Sequence, residues 1–137
     1  DLKQERNSFE SGIQYNKFES ASKWLKQNTP KDSIVLHSDW DEFPILFYHN
    51  SHNRYIVGLD PTFMYVHNED KYWKWVNITI GEESDNLYDI ITKDFQNATV
   101  FLEKDHNAMD LNFQRDSHFK LVYEDVEAKI YQIQENE

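Results

Sequence analysis

Residues 33–65 read SIVLHSDWDEFPILFYHNSHNRYIVGLDPTFMY, and this stretch decides the fold. It contains two short apolar runs with the character of buried strands, Ile34-Val35-Leu36 and Tyr55-Ile56-Val57. Each passes directly into a carboxylate-bearing turn, His37-Ser38-Asp39-Trp40-Asp41 after the first and Gly58-Leu59-Asp60-Pro61 after the second. Between them, residues 41–49 have the pattern of a short helix capped by Asp39 or Asp41, with Pro44 in the first turn, where a missing N–H is harmless. Phe43, Leu46 and Phe47 are expected on its inner face, and Asn50–Asn53 is turn chemistry. Strand, helix and strand in so few residues make a βαβ unit with parallel strands. That arrangement gathers Asp39, Asp41 and Asp60 at the carboxyl edge of the sheet, where open α/β folds place their ligands.

Working outward, Tyr15, Phe18, Ser22 and Leu25 recur at helical spacing, with Ala21 and Trp24 widening the stripe, and predict a helix over about 15–28. Asn28-Thr29-Pro30 stops it, because the residue before proline is pushed out of the helical region. Downstream, a helix is expected over about 69–79 with Tyr72, Trp73 and Val76 inward and Gly81 at its end. A second is capped by Ser84 or Asp85 and carries Leu87, Ile90, Ile91 and Phe95. Thr99–Leu102 is a third strand, and residues 106–117 predict a short helix anchored by Met109, Leu111 and Phe113. Phe119–Tyr123 and Ala128–Ile133 are too close in sequence to pair other than antiparallel. The expected fold is therefore three-layer α/β/α, with a mixed sheet of about five strands, parallel in its first part and closed by a C-terminal antiparallel hairpin. Residues 1–14 read as a polar lead-in and 15–137 as one domain.

The formal net charge of −11 argues against nucleic acid or an anionic membrane surface as partner. There is no cysteine, which excludes disulfides and thiolate chemistry. With three glycines the chain has no Gly-rich phosphate loop. The sequence opens at Asp1 without Met, as a segment of a longer protein would.

Asp39-Trp40-Asp41 has the spacing with which nucleotide-sugar transferases hold a divalent cation, and Asp60 could add a third carboxylate. His37 completes a candidate metal set of His37, Asp39, Asp41 and Asp60, set against the simpler reading of caps and turn formers. Tyr65 and Trp73 are candidate stacking faces for a sugar, set against ordinary core aromatics in a chain with 15% aromatic residues. Ser38 between His37 and Asp39 supplies the residue types of a triad, but neighbours in a strand point to opposite faces and cannot form the relay. The sequons Asn77-Ile78-Thr79 and Asn97-Ala98-Thr99 are read as chance.

The run Ala21-Ser22-Lys23-Trp24-Leu25-Lys26-Gln27-Asn28-Thr29-Pro30, followed by Lys31-Asp32-Ser33-Ile34-Val35-Leu36, resembles an element of multispanning membrane glycosyltransferases of the type C superfamily, the dolichyl-phosphate-mannose mannosyltransferase-like proteins. In those proteins the A-x-x-W-[IL]-x-x-N-[TS]-P helix and its strand open the soluble domain after the last membrane helix. The resemblance covers about residues 21–65. It implies an extracytoplasmic location, and the leading expectation built on it is a non-catalytic domain that packs on the membrane portion of its own polypeptide and helps to hold an acceptor, a glycan or a lipid-linked sugar at the sheet edge. It hands over no catalytic residue, because the family's catalytic acid lies in a loop between early membrane helices. Two alternatives stand beside it. One is a small metal-dependent enzyme using the Asp39/Asp41/Asp60 cluster with a divalent cation, and the other a purely structural interaction module.

Overall fold

The computed structural model describes residues 16–56 and 65–135, so the lead-in over 1–14 and Asp60 lie outside the described residues. Helix α1 is Glu19–Asn28 and buries Ala21, Ser22 and Leu25. Thr29 ends it, its backbone N–H and its hydroxyl both donating to the Leu25 carbonyl at 3.1 and 2.6 Å. Strand β1, Ile34–His37, follows. A 3₁₀ turn, Trp40–Glu42, leads without a break into α2, Phe43–His49. Strand β2, Arg54–Tyr55, pairs parallel with β1 through Ile34↔Arg54 and Val35↔Tyr55.

The turn before β2 is more buried than its polar composition implies. The Asn53 amide donates to the Thr29 hydroxyl at 2.8 Å and accepts from the Asn50 amide at 2.7 Å. His52 Nε2 lies 2.7 Å from the Thr29 carbonyl. These contacts satisfy polar groups that burial would otherwise penalise, and they lock the end of α1 to the start of β2.

Helix α3 is Glu69–Thr79, capped by the Asn68 side chain, which accepts from the Lys71 N–H at 3.1 Å. Helix α4 is Leu87–Lys93, strand β3 Thr99–Glu103, helix α5 Asn107–Arg115, and strands β4 and β5 are Phe119–Glu124 and Ala128–Ile133. Asp125 shapes the hairpin turn, its carboxylate accepting from the N–H groups of Glu127 and Ala128 at 2.8 and 2.9 Å.

The sheet has five strands in the order β2-β1-β3-β5-β4. β1 and β3 are parallel, β3 and β5 antiparallel, and β5 and β4 antiparallel, so the fold is α/β with a mixed sheet as expected. Alternation along the strands sends side chains to two cores. Leu36, Val100, Leu102 and Tyr131 meet α3, α4 and α5 on one face. Val35, Phe101 and Ile130 meet Phe18, Leu25 and Leu46 on the other, under α1 and α2.

Three inward assignments are corrected. Phe47 is 52% exposed, Trp73 48% and Leu111 41%. Leu46 in α2 and Met109 with Phe113 in α5 take inner positions as expected, and in α3 Trp75 takes the place expected of Trp73. Two residues along a helix are about 200° apart, so burying Trp75 turns Trp73 outward, and burying Met109 and Phe113 does the same to Leu111.

Gly81 closes α3 with φ of 84°, a left-handed conformation, and a β-carbon there would lie 2.4 Å from the Ala108 β-carbon on α5. Gly81→Ala is therefore expected to destabilise by roughly 1–3 kcal/mol, from backbone strain and from pushing α5 away. A urea midpoint equal to that of the parent would show that α5 yields freely at this contact.

Candidate functional site

The site forms where β1 and β3 end side by side, in the register His37↔Phe101. Past that point β1 ends while β3 runs on to Glu103, and Ser38 ties the two together. Its hydroxyl accepts from the Glu103 backbone N–H at 3.0 Å and donates to Glu42 Oε2 at 2.6 Å. The other oxygen of Glu42 accepts from the Asp39 N–H at 2.8 Å, which starts the 3₁₀ turn in a capping-box arrangement. Glu42 is 1% exposed, a carboxyl folded back beneath the turn it initiates.

His37 is fully buried at the end of β1. Its Nδ1 lies 2.8 Å from the Asp39 carbonyl and 3.9 Å from Glu42 Oε1. Its own carbonyl accepts from the Trp75 indole N–H at 2.9 Å, which ties α3 to the strand end. The loop after β3 brings Asp105 and His106, with His106 Nε2 3.6 Å from Asp105 Oδ1. Ser38, Asp39, Trp75, Thr79, Asp105 and His106 line an open cleft of about 420 Å³. Its walls offer carboxylates, hydroxyls and one imidazole, and an indole forms part of its apolar surface.

The electrostatics follow from crowding of carboxyls at this edge. Burial holds the Glu42 carboxyl well above the usual glutamate range, and the charges of Glu103 and Asp39 add to the rise. The hydrogen bonds from Ser38 and from the Asp39 N–H oppose it, favouring the charged form. Asp41 is also raised, by burial first and then by Asp39 and Glu103. Glu103 is met by the Lys17 ammonium, whose pKa rises through this hydrogen bond. Ligating atoms of Glu42, Glu103 and His106 lie within 4.8 Å of one another.

Of the residues singled out from the sequence, Asp39 lines the cleft, and Asp41 sits close enough to Asp39 and Glu103 to feel both charges. Trp40 is about half exposed on the 3₁₀ turn. Asp60 lies outside the described residues. Tyr65 and Trp73 are neighbours, ring centroids 6.4 Å apart at 81°, but neither lines the cleft. The indole that does line it is Trp75, two residues from the one chosen.

Sequence reasoning missed Glu42, Glu103 and His106. A signal for the last two was present: Glu103-Lys104-Asp105-His106 follows the apolar run Val100-Phe101-Leu102 just as His37-Ser38-Asp39 follows Ile34-Val35-Leu36.

Comparison with protein-family models, with curated proteins and with solved structures finds no match. Among the described residues, no helix is long and apolar enough to cross a membrane.

Proposed function

We propose that this chain is a non-catalytic ligand-binding domain on the extracytoplasmic face of a polytopic membrane glycosyltransferase-like protein, and that it holds acceptor or glycan in the cleft at the ends of β1 and β3. The observation that carries the reading is the cleft itself. It presents the side chains of Ser38, Asp39, Thr79, Asp105 and His106 beside the Trp75 indole, a combination of hydrogen-bonding groups and aromatic surface suited to hydroxyl-rich rings. The helix-Pro-strand run over residues 21–36 and its continuation to Tyr65 support the membrane-glycosyltransferase setting by resemblance.

The serine at the site does not favour covalent chemistry. Ser38 is buried, and its hydroxyl proton is given to Glu42 rather than to a histidine base. A binding role fits this better than a catalytic one.

The test is a titration of the isotope-labelled domain with neutral oligosaccharides, followed by amide chemical shifts. Shifts are expected to cluster at 38–41, 75–80 and 105–108, and Asp105→Asn with Asn107→Ala, both at positions that line the cleft, should weaken binding about tenfold, as loss of paired polar contacts does. No sugar donor should be turned over. Oligosaccharides that move no resonance, or turnover that Asp39→Asn abolishes, would overturn the reading.

A further inference from the structure

We propose that Glu42, Glu103 and His106 form a divalent-cation site at the ends of β1 and β3, of the zinc or manganese class. The three side chains come from different elements: Glu42 from the 3₁₀ turn, Glu103 from the last position of β3, and His106 from the residue preceding α5. Their ligating atoms already lie within 4.8 Å of one another. Ligands held tetrahedrally at about 2.0–2.2 Å from one cation lie roughly 3.3–3.6 Å from each other, so the triad closes on one once side-chain rotation draws its atoms together by up to about 1.5 Å. Two carboxylate oxygens and one imidazole make a borderline-hard donor set, suited to zinc and manganese better than to calcium or magnesium.

A second observation is independent of the spacing. Glu42 is almost completely buried, yet both of its hydrogen-bond donors, the Ser38 hydroxyl and the Asp39 N–H, are neutral. Among the described residues no lysine or arginine pairs with it, and the nearest nitrogen of a basic side chain is His37 Nδ1 at 3.9 Å. A carboxyl so placed takes either a proton or a cation. Beside it, Glu103 already holds one cation, the Lys17 ammonium, at the end of a partly exposed side chain that can swing away. Lys17 is thus the competitor a metal must displace.

This set is distinct from the His37, Asp39, Asp41 and Asp60 set expected from sequence, of which Asp60 lies outside the described residues. Nδ1 of His37 is directed at the Asp39 carbonyl, and its ring is enclosed against Tyr55. His106 also lines the cleft, so a cation held there would face the ligand space. The proposal does not depend on the glycan reading, because the metal is measured with no sugar present.

The experiment is calorimetric titration of chelator-treated protein with Zn²⁺ and, separately, Mn²⁺, together with amide spectra recorded at substoichiometric Mn²⁺. One equivalent is expected. Glu42→Gln, Glu103→Gln and His106→Ala should each weaken it at least about tenfold. Lys17→Met should tighten it, and Asp89→Asn on α4 should leave it unchanged. Paramagnetic broadening should centre on residues 42, 103 and 106, which locates the site even if a ligand variant folds poorly. The proposal fails if neither ion binds at millimolar concentration, if broadening centres elsewhere, or if several weak equivalents respond equally to Asp89→Asn. Failure of metal binding with sugar shifts intact would remove the cation and leave the binding reading standing.

Discussion

Phe101→Ala is expected to destabilise the domain by about 3–5 kcal/mol, the range for removing a buried phenylalanine from a core that cannot collapse around the gap. Phe101 is fully buried in the middle strand of the sheet. Its ring meets Phe18 edge-to-face, centroids 5.0 Å apart at 82°, an arrangement that adds to simple burial. Around it lie Val35, Leu25, Leu46 and Ile130, contributed by β1, α1, α2 and β5, so a cavity here faces four elements. The paired strands resist closing inward because their backbone hydrogen bonds fix their spacing. A domain of ordinary stability, about 5–15 kcal/mol, would be left near its unfolding threshold. Phe47→Ala is the comparison, since Phe47 is half exposed on the outer side of α2 and should change stability by no more than about 0.5 kcal/mol. Urea midpoints for the pair check the prediction, and equal midpoints would mean that α1 and α2 are not firmly docked on this face.

That contrast also shows which parts of the fold were legible from residues alone. Short apolar runs located β1 and β3, and the spacing of Leu87, Ile90, Ile91 and Phe95 located α4. These signals are local, and each element carries enough of them. The facing of α2, α3 and α5 was legible only in part, because each has large apolar residues on two sides: Leu46, Met109 and Phe113 face inward as expected, while Phe47, Trp73 and Leu111 do not. In α3 the sequence Tyr72-Trp73-Lys74-Trp75 offers two indoles about 200° apart, and only the position of His37, whose carbonyl receives the Trp75 N–H, decides between them.

The order of the hairpin strands was equally hidden. Antiparallel pairing holds whichever strand lies next to β3, and the choice falls to β5 because it is buried on both faces through Ala128, Ile130 and Tyr131. β4 instead exposes Lys120, Leu121 and Glu124, as an edge strand can. At the site, the β1 end was legible through Asp39 and Asp41. Its partners Glu103 and His106 lie more than sixty residues away in the chain, and nothing but the β1–β3 register brings them together.

The largest effect at the site is expected from Glu42, and its sign depends on the replacement. Glu42→Ala removes the acceptor of two buried donors, the Ser38 hydroxyl and the Asp39 N–H, and should destabilise by about 2–5 kcal/mol, since each orphaned donor costs roughly 1–3 kcal/mol. Glu42→Gln should behave differently. Its amide oxygen can accept from Asp39 while its NH₂ donates to the Ser38 oxygen, the same pattern that a protonated Glu42 would make. Burial, with the nearby charges of Glu103 and Asp39, raises the Glu42 carboxyl in the folded state above its unfolded value. A group raised on folding contributes stability that is fully present below its unfolded pKa and is lost as pH rises through the folded one. Asp41 is raised in the same sense and remains in both proteins, so it largely cancels in the comparison. The stability of Glu42→Gln relative to the parent should therefore increase from pH 5 to pH 8, measured by urea unfolding with chelator present so that no metal enters. A difference that stays flat across that range, or that shrinks as pH rises, would mean that the Ser38 and Asp39 hydrogen bonds outweigh burial and hold Glu42 ionised in the folded protein.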